Sequence, residues 1–197
     1  MTATAQPVAA LPAAGGERPR NVIATGTAFL VAGGTTYFGV LVGAYLQLRS
    51  TTHPWPPKGV KLDNYLGNLL VITMLLAAVT VQWAVSAVLR DERRQATAAL
   101  AITVGLGLAF LNLLSYSASR QSFGPADHPY GLVVTALVAS VGIVVSVGIA
   151  FCLLTMFRIR GSQVTAAEPD QARATAWFWH FATVATIAAW YVIVVTK

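Results

Sequence analysis

The chain has 197 residues, of which 56% are hydrophobic and 10% charged, and its formal net charge is +6. Soluble domains carry roughly 25% charged residues, so this composition leaves too little polar surface to coat a water-soluble globule. The basic residues stand in short stretches between apolar runs, with no basic and aromatic stripe to track phosphates, which argues against a nucleic-acid partner.

Residues Met1 to Arg20 are rich in Ala, Pro and Gly and read as a disordered tail. The first apolar run, Val22 to Gln47, is too long for a signal-peptide core of about 7–15 residues and reads as a retained membrane anchor. Four more runs follow, Tyr65 to Leu89, Ala96 to Ala118, Tyr130 to Phe157 and Ala174 to Val195, none containing Asp, Glu, Lys or Arg. Each meets the requirement of about 20 apolar residues for a crossing helix. The predicted fold is all-α, an integral membrane bundle of five transmembrane helices over residues 21–197.

The loops carry the breakers and the charges. The first holds His53-Pro54-Trp55-Pro56-Pro57, where proline stops helix propagation. The second is the turn Arg90-Asp91-Glu92-Arg93-Arg94, the third holds Gly124-Pro125-Ala126-Asp127-His128-Pro129, and the fourth is predicted over Arg158 to Arg173. One side of the membrane then collects Arg18, Arg20, Arg90, Arg93, Arg94, Arg158, Arg160 and Arg173. The other collects Arg49, Lys58, Lys61, Arg120 and Lys197. Eight against five places the amino terminus in the cytoplasm and the carboxyl terminus outside.

Within the spans, Gly39 and Gly43 form a small-xxx-small pair expected to seat another helix. Gly142 and Gly148 in the fourth run and Ala182, Ala185, Ala188 and Ala189 in the fifth mark further close approaches. Gln82 and Asn112 are costly to leave facing lipid, so both are expected to point into the bundle or at a partner. Proton and ion pathways use intramembrane carboxylates, His or Lys; these runs hold no carboxylate, and only His180 among the three histidines. A haem held by two facing imidazoles and a copper cluster both lack their ligands, so no cofactor and no metal is expected. Cys152 reads as a small apolar residue. His180, inside Trp177-Phe178-Trp179-His180-Phe181, reads as a hydrogen-bonded member of an interfacial aromatic belt near the end of the fifth helix.

These residues resemble subunit III of the haem–copper (cytochrome c) oxidases in their short five-helix actinobacterial form. The resemblance rests on Arg18-Pro19, Gly26-Thr27, Tyr37-Phe38 and Tyr45, then Trp55-Pro56-Pro57 as the family's loop motif, Tyr130-Gly131 and Trp179-His180-Phe181. It implies a non-catalytic subunit of the plasma membrane that scaffolds the oxidase catalytic subunits, leaving electron transfer to oxygen to them. It also implies bound phospholipid, in a cleft dividing the first two helices from the last three, with lipid or partner contacts near Gly34, Trp179 and His180. The chain departs from the family pattern. Gly34 stands where a Glu is usual, Val141 and Val144 where paired His are usual, and Thr183 and Thr186 where Asp and Trp are usual. Ser115-Tyr116-Ser117 replaces a Tyr-Glu-Tyr. An accessory or assembly membrane protein, such as one associated with nitric oxide reductase, or a small transporter, is the alternative reading. No internal repeat supports a transporter, and an intramembrane enzyme would have only Cys152 and His180 to use.

Overall fold

Hydrocarbon offers no hydrogen bonds to a bare peptide group, so each apolar run must satisfy its own backbone, which a helix does. The computed structural model describes residues 22–57, 60 and 63–196; the tail predicted over 1–20 lies outside them. Among the described residues the elements are α1 (Val22–Thr51), α2 (Asn64–Leu89), α3 (Arg93–Ser119), α4 (Pro129–Arg160) and α5 (Asp170–Trp190). The π-helical segment Tyr191–Val195 prolongs α5. All five helices are long and apolar enough to cross a membrane. The chain is a multi-pass membrane protein.

Several helices outrun the apolar runs that predicted them. α1 continues past Gln47 to Thr51, α4 reaches Arg160, and α5 begins at Asp170, so the fourth loop shortens to Gly161 through Pro169. Arginine is a good helix former, and at the ends of spans its charge sits where water and headgroups begin. Caps fix two starts. Asp63 accepts from the backbone N–H of Tyr65 at 2.9 Å and of Leu66 at 3.4 Å, closing the first turn of α2. His128 Nδ1 accepts from the N–H of Gly131 at 3.0 Å, with Pro129 in the first turn of α4. The α2–α3 hairpin turns through Asp91 in the left-handed region at φ 59°.

α5 is the central helix, packing against α1, α2 and α4, while α2 packs on α3 and α3 on α4. Helices α2 to α5 therefore enclose the core, and α1 lies outside them against α4 and α5. The cleft that the resemblance implied, between the first two helices and the last three, is not the division seen: α2 pairs with α3, and α1 joins the bundle through α5 and α4. The end carrying the first and third loops is called the Trp55 end below, and the opposite one the Arg158 end.

Neutral hydrogen bonds stitch the helices together. Thr80 and Thr103 share one at 2.8 Å between α2 and α3, Thr155 and Thr175 one at 2.7 Å between α4 and α5, and Tyr37 and Ser140 one at 2.8 Å between α1 and α4. Trp190 Nε1 donates to Asn68 Oδ1 at 3.0 Å, tying α5 to α2. Such bonds average about 0.6 kcal/mol in a membrane, so their contribution is chiefly to register. The ion pair between Arg90 and Glu92 at 3.2 Å is solvent-exposed and stays within one turn.

Candidate functional site

Three groups of side chains bear on function, and each is built where helices converge. At the Trp55 end, the indole of Trp55 lies edge-on between Tyr45 of α1, at 5.1 Å between ring centroids, and Tyr130 of α4, at 5.0 Å. Phe123 and His128 of the third loop close on the other side of Tyr130 at 5.5 and 5.8 Å. Pro56 and Pro57 follow as a half-buried, non-helical strap. Trp55 is thus a plug that joins the first loop to α1 and α4. Offset and edge-on aromatic pairs contribute roughly 0.5–1.5 kcal/mol each beyond area, which makes this nest a strong lock on the peripheral α1.

The second group surrounds Trp179, which is fully buried. Its ring fills a notch made by Gly107 of α3 and Gly148 of α4; a Cβ on either glycine would stand 2.9 Å from the indole. Trp179 is therefore a packing residue, and a lipid contact expected at its ring does not fall there. Gly107 was not singled out in the sequence, because a glycine in a membrane helix announces no partner. Gly34, the second expected contact, is also taken. A Cβ there would run into the Phe181 ring, and that ring packs in turn on Phe38 and Phe178. Gly39 and Gly43 meet nothing within 4 Å and face outward, so the small-residue pair seats no helix of this chain.

The third group is polar. His180 lies roughly three turns along α5 from Asp170, farther from the helix end than the sequence reading placed it. Its Nε2 donates to Gln82 Oε1 of α2 at 3.3 Å. His180 also borders a groove between α1 and α5 lined by Val31, Ala32, Thr35, Phe181 and Val184. Of the three expected contact residues, His180 and Gly34 keep partial exposure while Trp179 has none, and His180 is the one that lines this groove. Gln82 and Asn112 are both exposed, but Gln82 has His180 as a hydrogen-bond partner across α2 and α5. Gln82→Leu removes the hydrogen bond without creating a void, and is expected to lower the thermal midpoint slightly, by the equivalent of about 1 kcal/mol. A scan of the purified protein in detergent reads it.

The chemistry available is narrow. Among the described residues no group of three or more His, Cys, Asp or Glu side chains could hold a metal ion. The described carboxylates, Asp63, Asp91, Glu92, Asp127, Glu168 and Asp170, stand in loops or at helix starts. Cys152 is buried in α4. Ser117, Val141 and Thr186, where the resemblance leads one to expect other residues, share one cavity between α2, α3, α4 and α5.

Five apolar helices, bonded to one another through neutral side chains and with the described carboxylates at their ends, define a multi-pass membrane protein. The sequence model of the family described as cytochrome c oxidase subunit III matches residues 22–196, and the chain belongs to that family. Cytochrome c oxidase subunit 3 of Gallus gallus is 35% identical over 129 residues, 64% of this chain and 49% of the relative. That of Coturnix japonica is 34% identical over the same span and shares. That of Strongylocentrotus purpuratus is 31% identical over 141 residues, 71% of this chain and 53% of the relative. The chain spans about half the length of these curated relatives.

Proposed function

We propose that the chain is a non-catalytic membrane subunit of a haem–copper oxidase, packing on the catalytic subunits while they carry electrons to oxygen. The observation that carries this reading is a family match running through all five helices, from the start of α1 to the end of α5. The interior is consistent with it: packing and neutral hydrogen bonds hold the bundle, and a shaped apolar surface is what it offers to a neighbour. In this reading α1 and the groove beside His180 are the regions that meet lipid or a catalytic subunit, with Gly34 and Trp179 shaping that wall from behind.

The orientation follows the arginines. Arg90, Arg93, Arg94, Arg158, Arg160 and Arg173 gather at the Arg158 end, against Arg49 and Arg120 at the Trp55 end among the described residues. In this reading the Arg158 end is cytoplasmic by the positive-inside tendency, with the amino terminus inside and the carboxyl terminus outside the plasma membrane.

Affinity capture of the chain at native expression, from membranes dissolved in mild detergent, tests the assignment. The expected result is co-purification of haem-bearing subunits. A chain that emerges without any oxidase subunit would instead support an accessory protein or transporter.

A further inference from the structure

At the Trp55 end, α2, α3, α4 and α5 part around a cavity of about 120 Å³. Phe110, Val141 and Thr186 lie deepest, Leu70, Leu114 and Ile193 form walls, and Asp63, Arg120 and Gln121 stand at the mouth. From Phe110 to Arg120 is ten residues of α3, about 15 Å of helical rise. The cavity is therefore long, narrow and apolar, with charge at one end only. Beside it α5 loosens into the π-helical segment Tyr191–Val195, with the N–H of Thr196 donating to the carbonyl of Tyr191 at 3.2 Å. π turns are rare and recur at functional sites, and this one contributes Ile193 and Val194 to the cavity wall. The hydrogen bond from Trp190 to Asn68 keeps α5 and α2 in place across the opening.

Apolar cavities of about 150 Å³ accept apolar guests, and most of the side chains lining this one are apolar. The mouth supplies the complement. The carboxylate of Asp63 is engaged by the first turn of α2. The guanidinium of Arg120 lies over the Tyr116 ring at 5.8 Å and makes no hydrogen bond among the described residues. A guanidinium is shaped to hold a phosphate through two parallel N–H donors.

We propose that this cavity is a lipid site that takes one acyl chain of a membrane phospholipid, with the phosphate held by Arg120. A volume this small over that length admits a single chain and excludes a fused-ring molecule. The site lies inside the α2–α5 core, apart from the groove beside His180, and stands whether or not the chain assembles with an oxidase.

Native mass spectrometry of the full chain, titrated with phosphatidylglycerol and separately with diacylglycerol of the same chains, tests it. The wild-type chain is expected to retain one phospholipid and to bind diacylglycerol at least about tenfold more weakly, since a charge-assisted hydrogen bond contributes about 1.5–3 kcal/mol. Arg120→Gln is expected to erase that preference, and Val141→Phe, which fills the floor, to abolish the tightly held lipid. Equal affinity of the wild type for both lipids overturns the proposal and needs no variant. So does a number of tightly held phospholipids that neither substitution lowers in chains that remain helical.

Discussion

Trp179→Ala is expected to be the most damaging single truncation in the bundle, lowering stability by about 3–5 kcal/mol. The indole is fully buried where α3, α4 and α5 meet, and Ile149 and Phe178, which border the notch between Gly107 and Gly148, are each smaller than the indole and already placed. The reverse change is as informative. Gly148→Val places atoms where the ring already lies and is expected to cost about 1–3 kcal/mol as overpacking. Combining the two should recover part of the loss, because the added methyls occupy space the indole has vacated. Thermal unfolding of the four forms in one detergent gives the coupling directly. Strictly additive losses would show that the ring and the glycine act independently, against the geometry described.

The second large effect is expected at Gly131, in the first turn of α4. A Cβ there would collide with the carbonyl oxygen of Gly124, a backbone atom in the third loop, and also crowd His128 Nδ1 at 3.1 Å. A flexible side chain could move aside, but the loop carbonyl cannot do so without disturbing its turn, which is closed by Asp127 Oδ2 accepting from the N–H of Gly124 at 2.6 Å. Gly131→Ala is therefore expected to cost at least about 1–3 kcal/mol, despite alanine's better helix propensity. It should also loosen the Tyr45–Trp55–Tyr130 nest that the α4 start supports. Faster amide hydrogen exchange at Trp55 and through the first turn of α4 would report that loosening. A Gly131→Ala protein as stable as the wild type would contradict the close approach.

These two sites also show what could be read from the chain alone. The five spans were legible because a bilayer demands a charge-free run of fixed minimum length, and that demand is written locally. The helix ends were not, since arginines at Arg49, Arg158 and Arg160 end an apolar run without ending a helix. Which face of each span turns inward was hidden for a deeper reason. Lipid-facing residues are as apolar as core residues, so the hydrophobic stripe that orients a helix in a soluble protein is missing. Gly39 and Gly43 accordingly resembled a contact and face outward, while Gly107 gave no sign of receiving Trp179. Trp179 itself looked interfacial because tryptophan is common in membrane belts. Its true neighbours come from two other helices, and no spacing within one helix encodes that. The expectation for Gln82 and Asn112 divided: Gln82 pairs with His180, as an unpaired polar group in hydrocarbon demands, while Asn112 is exposed on α3.

A common physical cause underlies the whole account: with the carboxylates at the helix ends, the spans are left with packing, neutral hydrogen bonds and lipid contact. His180 is the one histidine within them, bonded to the neutral amide of Gln82. The most direct measurement is oxygen turnover, as a function of pH, of the oxidase complex in which we propose that the chain sits, with wild-type chain and with His180→Asn, which keeps a side-chain amide near Gln82 while removing the titrating ring. Superimposable profiles are the expected result. A displaced pH profile, or turnover slowed at saturating electron supply in a complex of unchanged composition, would show that a span of this chain controls proton delivery and would contradict the account.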